Sequence, residues 1–315
     1  MAELYDTIII GAGPAGLAAG LYTGRSRLKT LILEKSADGG QIAITDSIEN
    51  YPGQKVEGES GPELIARFTE QAKNFGCERV SATVTKLELD GKIKKVHCGD
   101  TVYEGKTIIL ATGAHSRKIG CPGEEEFTGK GVSYCATCDA NFFEDLEVYV
   151  VGGGDTAVEE AMYLCKFARK VTIIHRRDQL RAVSSIQERA KKVENLHFMW
   201  NSVVVNLEGE GVLQKMTVKD TQTGELTEYE ADEDDGIFGV FVFIGFLPNS
   251  DLFKDVITCE DGYVITDDAM HTNIPGVFAA GDVRKKPLRQ VVTAAADGAI
   301  AGIECDKYIQ EHFAE

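Results

Sequence analysis

The residues with the clearest chemical potential are two cysteines, Cys135 and Cys138, which enclose Ala136 and Thr137 and precede Asp139. This spacing is typical of a redox-active dithiol, of half a zinc site, or of two buried thiols. A structural zinc site usually needs a second close Cys/His pair, and the six other cysteines stand alone in the sequence. We therefore expect no metal site. The choice between a redox dithiol and two inert thiols depends on the elements around the pair.

A glycine turn near the N-terminus is the first of these elements. The β-branched run 7–10 predicts a strand, and small apolar residues after the turn predict a helix. In such a turn the first Gly makes the bend, the second lets a pyrophosphate approach, and the third allows close helix packing. An acid ends the next predicted strand, 18 residues after Gly16, where it can accept hydrogen bonds from a ribose. The predicted dinucleotide site therefore contains Gly11, Gly13, Pro14, Ala15, Gly16 and Glu34.

A second glycine turn repeats the pattern after the predicted strand 148–151. When Gly152 is aligned with Gly11, His175 falls opposite Glu34 without a gap. Two arginines follow His175, and guanidinium groups bind a 2′-phosphate that a carboxylate would repel. This half therefore favours NADPH over NADH. Its predicted ligands are Gly152, Gly153, Gly154, Asp155, Thr156, Ala157, His175, Arg176, Arg177 and Arg181.

The first site should then hold a different adenine dinucleotide, and with a dithiol in the same chain FAD is the most economical choice. The predicted strand 276–280 is followed by Gly281 and Asp282, and ligands of open α/β sheets lie at such strand ends. Asp282 is either a ligand of the flavin ribitol or an acid that caps a loop. The positive end of the next predicted helix would stabilise a reduced flavin anion. Further expected FAD contacts are Thr112, Gly113, Arg289, Gln290 and Val291.

The order of these pieces predicts the domain organisation. If residues near Asp282 complete the first site, the second nucleotide domain must be inserted within the first. We predict an α/β fold of two Rossmann-like dinucleotide-binding domains of the three-layer ββα type. The FAD-binding domain takes residues 1–116 and 246–315, and the NADPH-binding domain with the dithiol takes residues 117–245. Two short crossings with glycine beside them could act as a hinge.

Composition excludes several classes of protein. The 50 acidic and 33 basic residues give a formal net charge of −17, which argues against nucleic-acid binding. No apolar run reaches the roughly 18 residues of a membrane span. The N-terminus lacks the basic region and long apolar core of a signal peptide, so we expect a cytoplasmic protein without a membrane partner. In a reducing compartment a lone Cys-x-x-Cys is more often catalytic than structural.

Taken together, these motifs resemble the low-molecular-weight thioredoxin reductases of bacteria, and the resemblance covers essentially the whole chain. The matching segments are 11–16, 111–113, 135–139, 152–157, 175–177 with 181–182, and 281–282 with 289–290. The resemblance implies a homodimer, a large rotation of the NADPH domain, and thioredoxin as partner. It also implies that Cys138 faces the flavin and Cys135 attacks thioredoxin. Further FAD contacts are implied for Lys35, Gly40, Gln41 and Asn50.

We therefore expect an oxidoreductase that passes electrons from NADPH through FAD to the Cys135–Cys138 pair and on to the disulfide of thioredoxin. Asp139 is a candidate proton donor or acceptor for the dithiol, or else an ordinary loop acid. Two alternatives stay open. One is a related flavoprotein reductase for a peroxiredoxin or a low-molecular-weight disulfide. The other is a flavin- or nucleotide-binding sensor without enzymatic activity, against which the intact cysteine pair argues.

Overall fold

A computed structural model describes residues 3–44, 48, 50–55 and 57–313. The chain divides into two compact units. Unit 1 combines the residues up to His115 with those from Leu247 onward, and unit 2 runs from Ser116 to Phe246. In the described ranges no helix is both long and apolar enough to cross a membrane.

The α-helices are α1 (Pro14–Arg25), α2 (Gly61–Asn74), α3 (Ala136–Asp139), α4 (Asp155–Leu164), α5 (Ser184–Ala190) and α6 (Val291–Phe313). The strands are β1 (Leu4–Ile10), β2 (Thr30–Glu34), β3 (Glu78–Ser81), β4 (Lys86–Glu88), β5 (Lys94–Cys98), β6 (Thr101–Leu110), β7 (Ala114–Ser116), β8 (Val132–Ser133), β9 (Glu147–Gly152), β10 (Lys170–Ile174), β11 (Leu196–Met199), β12 (Ser202–Glu208), β13 (Lys215–Asp220), β14 (Leu226–Glu230), β15 (Gly239–Phe243), β16 (Phe246–Pro248), β17 (Cys259–Glu260), β18 (Tyr263–Val264) and β19 (Val277–Ala279). Short 3-10 helices cover Gly40–Ile44, Ala140–Phe143 and Gly281–Val283.

The main sheet of unit 1 has the order β3-β2-β1-β6-β5-β4, with β19 also beside β6. Strands β1, β2, β3, β6 and β19 run parallel, and β4 and β5 are antiparallel. Ile10 pairs with both Leu33 and Leu110, and Leu110 pairs with Ala279. Because these strands end level, the residues that follow them meet at one edge of the sheet. Ile8, Ile9 and Ile10 of β1 are all buried, which explains why a β-branched run forms the central strand.

Unit 2 repeats this design with a parallel sheet of order β11-β10-β9-β15-β8. The antiparallel sheet β12-β13-β14 packs on one face, through Val204, Leu207 and Met216 against Tyr149 and other sheet residues. Helices α4 and α5 pack on the opposite face. The unit therefore has three layers, and the predicted α/β class with parallel sheets is confirmed.

Helix α6 packs closely against α1 because two glycines of α6, Gly298 and Gly302, face α1. A Cβ at Gly298 would lie 2.0 Å from the Ala15 carbonyl oxygen, and one at Gly302 would lie 3.0 Å from the Ala19 carbonyl oxygen. Only glycine permits the first of these approaches. The contact fixes the start of α6 beside the first glycine turn.

Candidate functional site

In the first glycine turn, two glycines are needed for close packing of the backbone and a third has open space above it. A Cβ at Gly11 would lie 2.3 Å from the Ala111 carbonyl oxygen, and one at Gly16 would lie 1.9 Å from the Gly11 carbonyl oxygen. At Gly13 the nearest such contact is the Gly39 carbonyl oxygen, at 3.8 Å. The open space above Gly13, at the start of α1, therefore fits close approach by the pyrophosphate of a dinucleotide.

Glu34 ends β2 beside this turn, as the sequence predicts. Its Oε2 atom accepts a hydrogen bond from the Ala12 backbone N–H at 2.9 Å, and its Oε1 atom accepts one from the Ser36 N–H at 3.0 Å. The carboxylate thus joins the glycine turn to the chain after β2. Each oxygen keeps a lone pair that can accept a hydrogen bond from a ribose hydroxyl.

The segment after β2 lies against the same turn. The Gly39 N–H donates to the Ala12 carbonyl at 2.8 Å, which brings the neighbouring Gly40 and Gln41 to the edge of the sheet. Asn50 donates from Nδ2 to Oε1 of Gln290 at 3.2 Å. Two predicted FAD contacts that are 240 residues apart in the sequence therefore meet. Lys35 is exposed.

Thr112 and Gly113, which follow β6, are fixed by Asn249. The Thr112 hydroxyl donates to the Asn249 carbonyl at 2.7 Å, and Asn249 Nδ2 donates to the Thr112 carbonyl at 2.8 Å. The Asn249 N–H donates to the Gly113 carbonyl at 3.0 Å. The sequence motif does not reveal Asn249, because it lies far along the chain.

Gly281 and Asp282 follow β19 and approach the start of α1. A Cβ at Gly281, whose φ is +79°, would lie 2.8 Å from the Ala15 Cβ. Oδ1 of Asp282 lies 3.2 Å from Nζ of Lys286. Burial raises the pKa of the Asp282 carboxyl, and the charge of Lys286 opposes this rise. The guanidinium of Arg289 stacks 4.4 Å above the ring of Tyr263, just before α6 begins at Val291.

The second glycine turn has the same division of roles. A Cβ at Gly152 would lie 2.6 Å from both the Ala157 Cβ and the Phe243 carbonyl oxygen, and one at Gly153 would lie 2.2 Å from Nδ1 of His175. A Cβ at Gly154 would meet nothing within 4 Å in the part of the chain that the structure describes. Gly154 matches Gly13, so the second glycine of the G-x-G-x-x-G/A pattern leaves space for a ligand in both turns.

The basic segment after β10 has a fixed backbone and exposed guanidinium groups. Three backbone carbonyls of this segment accept hydrogen bonds. The His175 carbonyl accepts one from the Ser202 N–H at 2.9 Å, and the Arg177 carbonyl accepts one from the Asn201 N–H at 3.1 Å. The Arg176 carbonyl accepts one from the Thr221 hydroxyl at 3.3 Å. The side chains of Arg176 and Arg177 are exposed. They are therefore available to bind an anion such as a 2′-phosphate.

Residues 181–183 are tied to the same turn. The Arg181 N–H donates to the Gly153 carbonyl at 2.7 Å, and the Val183 N–H donates to Oδ1 of Asp155 at 2.8 Å. The exposed Arg181 side chain thus begins beside the glycine turn, and Thr156 follows Asp155 in α4. The predicted nucleotide-binding residues of unit 2 therefore lie together, at the carboxyl ends of its parallel strands.

Cys135 and Cys138 form a disulfide at the start of α3. Ser133, which is buried at the end of β8, organises this segment, although no sequence motif indicates it. Its hydroxyl accepts a hydrogen bond from the Cys135 N–H at 3.1 Å and donates to Oδ2 of Asp139 at 2.5 Å. Asp139 is therefore held on the same short segment as both cysteines.

The other six cysteines are free thiols. Burial raises the pKa of Cys77 and Cys121 to about 11, and that of Cys165 and Cys305 to about 12. Thiols with such pKa values are almost fully protonated near neutral pH and react slowly. Within the described ranges no group of three or more His, Cys, Asp or Glu could hold a metal ion.

Comparison with known proteins adds three findings. Residues 5–298 match the family described as pyridine nucleotide-disulphide oxidoreductase. The chain is 59% identical to a thioredoxin reductase of Peptoclostridium acidaminophilum over the full length of both, and 49% identical to one of Bacillus subtilis over 98% of this chain and 96% of that one. The crystal structure of thioredoxin reductase from Streptococcus pyogenes matches 99% of this chain and 100% of its own, with 47% identity and a TM-score of 0.90.

Proposed function

Because this chain belongs to the thioredoxin reductases of the pyridine nucleotide-disulphide oxidoreductase family, we propose that it reduces the disulfide of thioredoxin with electrons from NADPH. It is an enzyme that uses FAD and NADPH. The observation that carries this proposal is the Cys135–Cys138 disulfide, held beside Asp139 in the unit that contains the second glycine turn. Inert core thiols would not need a polar positioning group such as Ser133.

We assign FAD to unit 1 and NADPH to unit 2. The proposed domain limits are 1–116 with 246–315, and 117–245. The division of the chain at residues 115/116 and 246/247 supports them. The open backbone at Gly13 and Gly154 supports a pyrophosphate at each turn. When bound, these cofactors supply a hydride and a two-electron path to the disulfide.

The residues of the two sites have separate tasks. Glu34 would accept hydrogen bonds from ribose hydroxyls and Asp282 from the ribitol, and the positive end of α6 would favour a flavin that carries negative charge. Arg176 and Arg177 bind the 2′-phosphate, with Arg181 beside them. The remaining proposed contacts, namely Lys35, Gly40, Gln41, Asn50, Thr112, Gly113, Arg289, Gln290 and Val291, position the flavin.

The last step is thiol–disulfide exchange. The reduced pair carries the two electrons as two thiols, and the thiolate of Cys135 attacks one sulfur of the thioredoxin disulfide. This forms a mixed disulfide and releases one thioredoxin thiolate. Cys138 then attacks Sγ of Cys135, which restores the Cys135–Cys138 disulfide and releases thioredoxin with both thiols. Assignment of the attacking role to Cys135 follows the resemblance to the family.

Asp139 is the group that moves protons in this cycle. Reduction of the pair takes up two protons, and its reoxidation returns them to the thioredoxin thiols. A carboxyl fixed by the Ser133 hydroxyl lies on the same short segment as the dithiol and can donate or accept one of these protons. Ser133 positions Asp139 and the Cys135 amide at the same time.

We also propose that the enzyme works in the cytoplasm as a homodimer. Two short connecting strands, β7 and β16, pair with each other where the chain passes between the units. A rotation of the NADPH domain about these connections stays a prediction. Light scattering of the holoprotein tests the dimer, since a monomeric mass at working concentration would contradict it.

Steady-state oxidation of NADPH by the purified holoprotein tests the proposed reaction. We expect rapid consumption only when oxidised bacterial thioredoxin is added, and much slower consumption with NADH. A rate that responds to a peroxiredoxin or to a low-molecular-weight disulfide, but not to thioredoxin, would replace the proposed acceptor. No turnover with any disulfide, despite bound FAD, would favour a sensor.

A further inference from the structure

Four charged side chains form a buried cluster next to β19, and no sequence motif predicts it. Asp282, Arg284, Lys286 and Asp297 contribute two carboxylates and two cations. The side chains of Arg284 and Asp297 are each 11% exposed, and that of Lys286 is 8% exposed. Burial of charged groups is costly unless each is paired, so the contacts inside the cluster must compensate for the lost hydration.

Lys286 is the centre of this cluster. Its Nζ atom lies 3.2 Å from Oδ1 of Asp282 and donates to Oδ2 of Asp297 at 3.2 Å. It also donates to the Thr293 hydroxyl at 3.3 Å. Two of these three oxygens accept hydrogen bonds from the ammonium group, and the contact with Asp282 is an ion pair. Lys286 therefore links the loop that carries Asp282 to the first turns of α6.

Asp297 holds Lys286 in place. Its Oδ1 atom lies 2.9 Å from Nη1 of Arg284, and its Oδ2 atom accepts the Gly281 N–H at 3.0 Å. Arg284 is fixed in turn by a hydrogen bond from Nε to the Thr266 hydroxyl at 2.7 Å. The anion that faces Lys286 is thus anchored to the backbone immediately before Asp282.

Asp282 is the member of the cluster with the freest carboxylate. Its side chain is 31% exposed, compared with 11% for Asp297. Without a cation beside it, a half-buried carboxylate would be a poor hydrogen-bond acceptor because it would tend to take up a proton. Lys286 supplies most of that positive charge, and Arg289 contributes less. The charge of Asp297 is shared between Lys286 and Arg284.

We propose that Lys286 is the positioning residue for Asp282: it orients the carboxylate and balances its charge, so that Asp282 accepts hydroxyl hydrogen bonds from the ribityl chain of FAD. This inference rests on the proposed FAD site and adds a residue that no glycine or Gly-Asp motif indicates. Arg284 and Asp297 act one step further away, because they fix Lys286 and the Gly281 backbone.

The dissociation constant of FAD, measured by fluorescence titration of the apoprotein, tests this inference. Lys286→Met removes the charge and keeps the length of the side chain, and we expect it to weaken FAD binding by about tenfold or more. Lys286→Gln, a milder neutral change, should weaken binding in the same direction, so the test stands even if Lys286→Met does not fold. The matched control is Lys285→Met, because Lys285 is an exposed neighbour paired with Glu260 and should change binding less than about twofold.

A double-mutant cycle separates positioning from a purely structural role. On the Asp282→Asn background, Lys286→Met should add less than about twofold, because the residue that it positions is already altered. Equal fold-changes in both backgrounds, or unchanged FAD affinity in both Lys286 variants, would overturn the inference alone. Unchanged affinity in Asp282→Asn would overturn the assignment of Asp282 to FAD as well, while thioredoxin turnover would still test the proposed function.

Discussion

The two glycine turns have the same plan but different residues at the end of the second strand. In each turn the first glycine is required by a close backbone contact, and the glycine two residues later, Gly13 or Gly154, is left open. In unit 1 the second strand ends in Glu34, whose carboxylate accepts two backbone N–H groups. In unit 2 it is followed by His175 and two exposed arginines. We propose that the turn binds pyrophosphate in both units and that the residues at the end of the second strand select the nucleotide.

The third position of the turns differs as well. A Cβ at Gly16 would lie 1.9 Å from the Gly11 carbonyl oxygen, whereas Ala157 occupies the matching place in unit 2 with its side chain fully buried. The helix of unit 1 thus lies closer to its turn than the helix of unit 2. This difference gives the first prediction.

We expect Gly16→Ala to destabilise unit 1 by about 3 kcal/mol and to reduce FAD retention, because the added methyl group collides with backbone that cannot move aside. The reciprocal change, Ala157→Gly, should cost about 1–2 kcal/mol, through lost helix propensity and the loss of one buried methyl group. Urea unfolding followed by flavin fluorescence and by circular dichroism measures both. Similar small losses in the two variants would contradict the proposed difference between the turns.

Replacement of both Arg176 and Arg177 by Gln should lower kcat/KM for NADPH by about a hundredfold, since two charge-assisted hydrogen bonds to the 2′-phosphate are lost. The value for NADH should change by less than about threefold. Arg189→Gln is the matched control, because Arg189 is an exposed arginine in the last turn of α5. An unchanged ratio of NADPH to NADH would remove the phosphate assignment.

The smallest effect concerns His175, which matches Glu34 in position. Burial and, to a smaller extent, the charges of Arg177 and Arg176 lower its pKa. A lowered pKa contributes stability that is present above the unfolded value of about 6.5 and is lost as the pH falls toward and through the folded value. From pH 7.5 to 5.5, His175→Gln should therefore lose less unfolding free energy than the parent, by about 1 kcal/mol or less.

Chemical denaturation at several pH values measures this difference. His197→Gln is the control, since His197 is an exposed histidine in β11. A parent and a His175→Gln variant with the same dependence on pH would show that the histidine takes up its proton as easily in the folded state as in the unfolded chain.

The sequence was sufficient for features that depend on local spacing. Both glycine turns, the acid at Glu34 and the basic segment from His175 follow from short motifs, and the strands that precede them follow from apolar runs. These motifs are informative because a βαβ unit allows few arrangements of its first turn.

Features built from distant partners could not be predicted in this way. Asn249 fixes Thr112 across 137 residues, and Asp297 binds the Gly281 amide from the next helix. Neither partner has a residue type or spacing that sets it apart from an ordinary surface residue. Ser133 cannot be identified from the sequence for another reason. A serine before a Cys-x-x-Cys is not distinctive, and only the structure shows that its hydroxyl joins Cys135 and Asp139.

The Cys138→Ser variant tests electron transfer through the Cys135–Cys138 pair, with Cys121→Ser as a control for loss of a thiol elsewhere in unit 2. Flavin absorbance under anaerobic conditions reports electron transfer from NADPH, and thioredoxin thiols report complete turnover. We expect Cys138→Ser to keep bleaching of the flavin by NADPH but to lose thioredoxin reduction by about a thousandfold or more, while Cys121→Ser retains both. Thioredoxin turnover that persists in Cys138→Ser would contradict the role of the Cys135–Cys138 pair as the carrier of electrons.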